Sequence, residues 1–295
     1  MTFSTEDAIG DAIDRLTTQA GAVLVLALAL FGTIRTAAGQ DITRGIVETI
    51  LEELETAEWR DDLGPEGVEA LETVESELQG AIADLPLALG LSPGAAAVVW
   101  IVAYILGLAV TVVAIDTFAR ERDVLSGLDT EGLGRKLLHL VLGTVVFSIL
   151  FFVGLFLLVL PGLLVGLFLL FFPAAIVVDD ESFFSAFATS ASIVRENAVS
   201  AIAIVLVVIV VGIGIGIVSA IVDGALSGVP GALASELFGA LVLAFTLALV
   251  TRAYVDATAG VATGRPADGT APDGDSSQEP PAADEEQRRR DDDRR

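Results

Sequence analysis

The residue types on which hydrolytic and redox chemistry most often rest are nearly missing from this chain. His139 is the only histidine, and there is no cysteine. A histidine-rich metal site is therefore impossible, and an imidazole base would rest on His139 alone, which needs positioned partners before it can take a proton. Thiolate catalysis, disulfides and cysteine metal sites are excluded, which leaves the redox compartment undetermined. No HExxH, GxSxG, phosphate-loop or dinucleotide glycine pattern is present. His139 falls just inside an apolar stretch beside Lys136, the place of an interfacial side chain.

Ionisable groups buried in apolar spans point to transport, because hydrocarbon penalises them. The centres of the apolar stretches are read here as carrying none. Asp116, Arg120, Asp179, Asp223, Arg252 and Asp256 all fall at predicted ends. Asp116 and Arg120 stand four apart, which reads as a helical ion pair. This weighs against an ion-coupled carrier with an acidic midplane site. It leaves open a path for apolar or headgroup substrates, lined by Thr111, Thr144, Ser148 or Thr246, or a pore built from several copies. An intramembrane enzyme would need two polar catalytic residues at one depth, and no pair presents itself.

These side chains must be positioned by long apolar elements. Of the 295 residues 54% are hydrophobic, yet the formal net charge is −24. Both hold because charge is confined to loops and tail. The fold class expected is an all-α integral membrane protein with six transmembrane helices, an external acidic helical hairpin and a cytoplasmic interfacial helix. Lipid is the solvent, and nucleic acid is not a partner, since no basic patch exists to neutralise phosphates. Lys136 is the only lysine; an acidic, Lys-poor, Cys-free composition resembles proteins of salt-loving archaea. At molar salt the Debye length falls to ~3 Å, which screens the self-repulsion.

In chain order, residues 1–38 read as an interfacial helix leading into a first span. A cleaved signal peptide is the rival, weakened by an acidic start in which Arg15 is the only base. Residues 39–93 read as an acidic helical hairpin turning at Gly64-Pro65, with fourteen Asp or Glu against Arg44 and Arg60. Residues 94–256 hold five further spans, the third (137–160) and fourth (163–178) joined at Pro161-Gly162. A re-entrant pair is the alternative there, because Pro161 and Pro173 remove backbone donors that lipid cannot replace. Residues 257–295 are Pro, Gly, Ala, Asp and Arg, a composition expected to stay disordered. Counting basic residues, thirteen Arg or Lys fall on the side of the termini against Arg35, Arg44 and Arg60 on the other. The expectation is a multi-pass protein of the cytoplasmic membrane with both termini in the cytoplasm.

Small residues repeat where helices are expected to pack. Gly162 and Gly166 form one GxxxG pair and Gly212 and Gly216 another; Gly107/Thr111 and Ala240/Ala244 are looser versions. Such faces let backbones approach closely, within one chain or between this chain and other membrane proteins or a second copy of itself.

The segment 161–197 organises the rest. PGLLVGLFLLFFPAAIVV is apolar throughout, and DDESFFSAFATSASIVREN then switches to one greasy and one wet face. Phe183, Phe184 and Phe187 suit immersion at the acyl boundary, with Ser185, Thr189, Ser192 and Arg195 opposite. Ser182 reads as N-cap and Asn197 as the stop, and Asp179, Asp180 and Arg195 complement the helix dipole. This run resembles the membrane domain fused to some bacterial glycerophosphodiester phosphodiesterases, and related haloarchaeal proteins. Pro161, Gly162, Pro173, Asp179 to Glu181, Ala186, Ser190, Arg195 and Asn197 carry the resemblance. It implies a six-helix membrane domain with an interfacial helix before the fifth span. It does not imply hydrolase activity, since the soluble barrel is missing. With no cofactor and no reactive constellation in the sequence, a non-enzymatic scaffold or accessory subunit is the first expectation. A transporter or lipid-handling protein with a cavity between helix halves is the alternative.

Overall fold

A computed structural model describes residues 5–83, 85–125 and 132–262, and their regular structure is helical throughout. Six helices are long and apolar enough to cross a membrane. The first, α2 (Gln19–Thr56), follows the short α1 (Thr5–Thr17). It does not break at Gly39, where the sequence changes from apolar to acidic. Its 38 residues make a rod about 57 Å long, well beyond the ~30 Å of a hydrocarbon core. Backbone bonding continues where side-chain solvent preference changes, so the first arm of the expected hairpin is the far half of α2.

The second arm is α3 (Pro65–Ala83), with Pro65 at the helix start as expected. Arg60, in the short 3-10 turn between the arms, donates to Glu75 from both terminal guanidinium nitrogens. That bond is the main reason the Arg60 guanidinium is pushed up from its ordinary range. The chain returns through residues 85–92 to α4 (Pro93–Ala119).

Next come α5 (Leu133–Leu157) and α6 (Val159–Phe168), separated by the single extended residue Leu158. The reversal is thus tighter and earlier than Pro161-Gly162, and Pro161 lies in the first turn of α6, where a missing N–H costs nothing. After a break at 169–171 the chain continues as α7 (Phe172–Val178). Lys136 Nζ, in the first turn of α5, donates to the Val177 carbonyl at 2.8 Å, so the end of α7 lies beside the start of α5. The amphipathic α8 (Phe183–Glu196), then α9 (Ala198–Leu226) and α10 (Gly228–Ala262), complete the bundle. The tail, expected to be disordered from residue 257, instead begins in α10, which continues to Ala262 because helical bonding carries past the end of the apolar stretch. The rest of the tail lies outside the described residues.

Pro173 explains the break. Its ring would collide with the carbonyl one turn back, so α6 must end before it. At the broken turn the Phe168 carbonyl and the Phe171 N–H both bond a side chain. Ser190, fully buried on α8, supplies both: its hydroxyl donates to the Phe168 carbonyl at 2.8 Å and accepts from Phe171 N–H at 3.0 Å. Irregular backbone inside an apolar span is tolerable in lipid only when protein satisfies it. Ser190→Ala should lower stability by about 2 kcal/mol, the cost of orphaning buried backbone groups. Thermal unfolding of the detergent-solubilised protein checks this, and an unchanged midpoint would refute the role.

The core sits at the end of the bundle that gathers α1, α7, α8 and the last turns of α10. Phe172, Ala174, Ala175, Ile176 and Val177 of α7 are buried, packed with Ile115 and Phe118, Ala186 and Val194, and Leu249 and Tyr254. Polar groups tie off this end. Arg15, Asp11, Arg252 and Glu121 form a closed ring: Arg15–Glu121 3.1 Å, Arg252–Glu121 2.9 Å, Arg252–Asp11 3.5 Å and Arg15–Asp11 3.7 Å. The Tyr254 hydroxyl donates to Asp179, and Arg135 pairs with Asp180. Asp179 and Asp180 therefore bind across to α10 and α5 and do not cap α8. Ser182 does that, accepting from Ser185 N–H. Asp116 and Arg120 pair at 2.8 Å as read from their spacing. Arg252→Gln breaks the ring in two places and should cost about 1 kcal/mol at low salt, since partly exposed ion pairs are individually weak. The loss should shrink in molar salt; midpoints measured at both salt levels test it.

Candidate functional site

The most built feature of the interior is a cavity of about 280 Å³ among α2, α4, α5, α7 and α10. Each wall follows helical spacing. Leu28, Phe31, Gly32 and Arg35 line it from α2; Tyr104, Gly107, Leu108 and Thr111 line it from α4. Residues three, four and seven apart share one face, so each set forms a single stripe. The two helices run antiparallel, so the Arg35 and Tyr104 end faces the far half of α2. A Cβ on Gly107 would meet Phe31 Cβ at 3.8 Å, so this glycine keeps the wall thin. Leu140, Thr144 and Phe147 of α5, Phe172 and Pro173 of α7, and Leu243 and Leu247 of α10 close the other sides.

Of the four hydroxyl residues nominated for such a path, Thr111 and Thr144 line the cavity; Ser148 and Thr246 do not. The two hydroxyls donate to their own helices, Thr111 to Gly107 at 3.0 Å and Thr144 to Leu140 at 2.7 Å. Only their lone pairs remain for a guest. The stronger polar groups are Arg35 and Tyr104, at one end. Tyr104 stacks on Trp100 with ring centroids 5.4 Å apart, and Trp100 lies beside Gly39 of α2. Paired amphipathic rings of this kind favour the headgroup level of a bilayer.

Glu236, overlooked in the reading of charge-free span centres, sits two turns into α10. It accepts from the Thr36 hydroxyl at 2.6 Å. Its other oxygen fills the notch left by Gly32, where a Cβ would stand 2.7 Å away. The acid is thus held against α2 beside the cavity.

The residues singled out in sequence fall elsewhere. Phe183 and Phe187 are half-buried and pack on the core, Phe187 edge-on to Phe172 at 5.2 Å. Phe184 is 73% exposed, and the Arg195 guanidinium lies 5.9 Å over the Phe168 ring. The buried face of α8 is Ala186, Ser190, Ile193 and Val194, rotated from the face expected from the three Phe. Short side chains let α8 approach the broken helix, so size won over hydrophobicity. Half-buried His139 faces Phe183 at 6.4 Å, and its Nδ1 has no partner. Gly162 packs on Leu155 and Gly166 on Phe151 within the α5–α6 hairpin. A Cβ on Gly212 or Gly216 would meet nothing of the described residues beyond its own helix turn within 4 Å.

The sequence pattern of a family described as a domain of unknown function, DUF7847, matches residues 96–257. The chain belongs to that family. Within DUF7847 the match takes in the cavity walls from α4, α5, α7 and α10, and omits the α2 wall with Arg35. Comparison with curated proteins and with solved structures gave no match.

Proposed function

We propose that this DUF7847 member is a non-enzymatic, lipid-handling protein of the cytoplasmic membrane, holding the apolar chain of a guest in the cavity between α2, α4, α5 and α10. The observation that carries this reading is the cavity itself, which joins apolar walls to a polar end formed by Arg35 and Tyr104. In this reading both termini face the cytoplasm, the acidic arms of α2 and α3 stand outside, and the acidic surface suits a salt-rich cell.

Retention of a neutral alkyl glycoside by the purified full-length chain, followed by native mass spectrometry, tests it. Gly107→Phe and Thr144→Phe, which fill the space from opposite walls, should abolish retention while leaving the thermal midpoint near that of the unmodified protein. Equal retention by both filled variants would overturn the proposal.

A second reading, scaffold or accessory subunit, draws on α9. A Cβ on its Gly212, Gly214 or Gly216 would meet nothing of the described residues beyond its own turn within 4 Å, and Val210 is 67% exposed. Small residues on a bare helix suit close approach of another helix. The chain has no native cysteine, so a single cysteine at Gly212 that crosslinks in native membranes would support this role, and one that never does would oppose it.

A further inference from the structure

Arg35 stands out from the other cations of the protein. Arg15, Arg44, Arg60, Arg120, Arg122, Arg135 and Arg252 each lie within 4 Å of a carboxylate. Lys136 bonds a backbone carbonyl, and Arg195 lies over a ring. Among the described residues Arg35 and Arg195 have neither hydrogen bond nor ion pair, and of the two only Arg35 lines the cavity, in a chain with 40 acidic residues against 16 basic. The neighbouring carboxylate, Glu236, is committed to Thr36. Tyr104 lies within electrostatic reach of Arg35 and makes no hydrogen bond to a described residue, so two donors stand free at one end of an otherwise apolar cavity.

Arg35 is exposed at the lip of the cavity, where a guanidinium with no carboxylate partner is placed to meet an anion. Its planar fork matches a carboxylate or phosphate with two parallel bonds. From Arg35 to Leu28 the α2 wall runs about 10 Å, seven residues at the helical rise. A guest that pays both ends must be anionic at one and aliphatic at the other.

We infer that the cavity binds an anionic amphiphile, its carboxylate or phosphate head on Arg35 and Tyr104 and its alkyl chain running toward Thr111 and Leu28. This rests on the proposed lipid-handling role and adds the charge of the guest. A free fatty acid and an anionic phospholipid share that chemistry.

Competition on the purified full-length protein distinguishes them, using oleate, dioleoylphosphatidylglycerol and neutral dioleoylglycerol, with bound species read by native mass spectrometry. One or both anionic probes should bind at least ten-fold more tightly than dioleoylglycerol, and the tighter one identifies the source. Arg35→Gln should remove that preference, read as the ratio of anionic to neutral binding on the same variant, and Arg35→Lys should restore part of it. Gly107→Phe should abolish binding of all three, which separates cavity occupancy from anions gathered loosely around a surface arginine. If neutral and anionic probes bind alike, or Arg35→Gln keeps the preference, the anion assignment falls and the lipid-handling role stands. If none binds, both fall.

Discussion

Replacing Gly154 by Val should weaken the fold by about 3 kcal/mol or more, the upper range for forcing atoms into a filled space. Gly154 lies in α5 where α6 turns back across it. A Cβ there would stand 2.8 Å from both the Cα and the N of Gly162, against a comfortable 3.5–4.0 Å between carbons. Because the obstructing atoms are backbone, no rotamer change relieves the collision, and the hairpin must open. Gly162 is constrained from the other side, since its own Cβ would lie 2.6 Å from Leu155 Cγ and 2.7 Å from Leu155 N. Gly212→Ala is the natural comparison. It meets open space and should change stability by less than about 1 kcal/mol, in the direction that favours helix. Helix content followed through thermal unfolding in detergent gives both midpoints. Similar midpoints for Gly154→Val and Gly212→Ala would mean that the tight α5–α6 turn is not part of the folded protein.

Asp41→Ala should cost about 3 kcal/mol, because it removes three charge-assisted hydrogen bonds at once. Asp41 is buried on α2 in the stretch read as a solvated acidic face. Its carboxylate accepts from the N–H groups of Leu89 (3.1 Å), Gly90 (2.9 Å) and Leu91 (3.2 Å). Next to it, Gln40 Oε1 accepts from Leu87 N–H at 2.7 Å. Gly90 has φ +77°, a left-handed conformation that turns its N–H toward the same carboxylate. The clasp fixes the return from α3 to α4 against α2, and so helps set the register of the two helices that carry Arg35 and Tyr104. Asp41→Asn keeps one acceptor oxygen but presents an amide to an N–H group, so it should fall between Ala and the native residue. Limited proteolysis within residues 85–92 should quicken in the order Asp, Asn, Ala. Cleavage at one rate in all three would show that the clasp does not hold this segment.

Six helices apolar enough for a bilayer were legible because hydrophobic run length is a property of local sequence. So were the Ser182 cap, the Asp116–Arg120 pair and the start of α3 at Pro65. Each depends on residues within one helical turn of each other. Asp41, Ser190 and Gly154 were not legible in these roles. An acid in an acidic run, a serine on an Ala/Ser-rich helix and a glycine in an apolar helix look ordinary until a distant backbone is brought against them. The cavity is intermediate. Its α2 and α4 stripes are visible as residues three, four and seven apart, but the same spacing describes any packed helix face.

The sequence by itself determined that this chain is helical and that six of its helices are suited to lipid, because each span carries its own apolar surface and its own backbone hydrogen bonds. Tertiary structure alone decided that Arg35 is left without a counter-ion, that Ser190 mends a broken helix and that a side chain at Gly212 would meet open space. Partnership is a relation between segments far apart in the chain, and no single stretch records which neighbour the fold will bring to it.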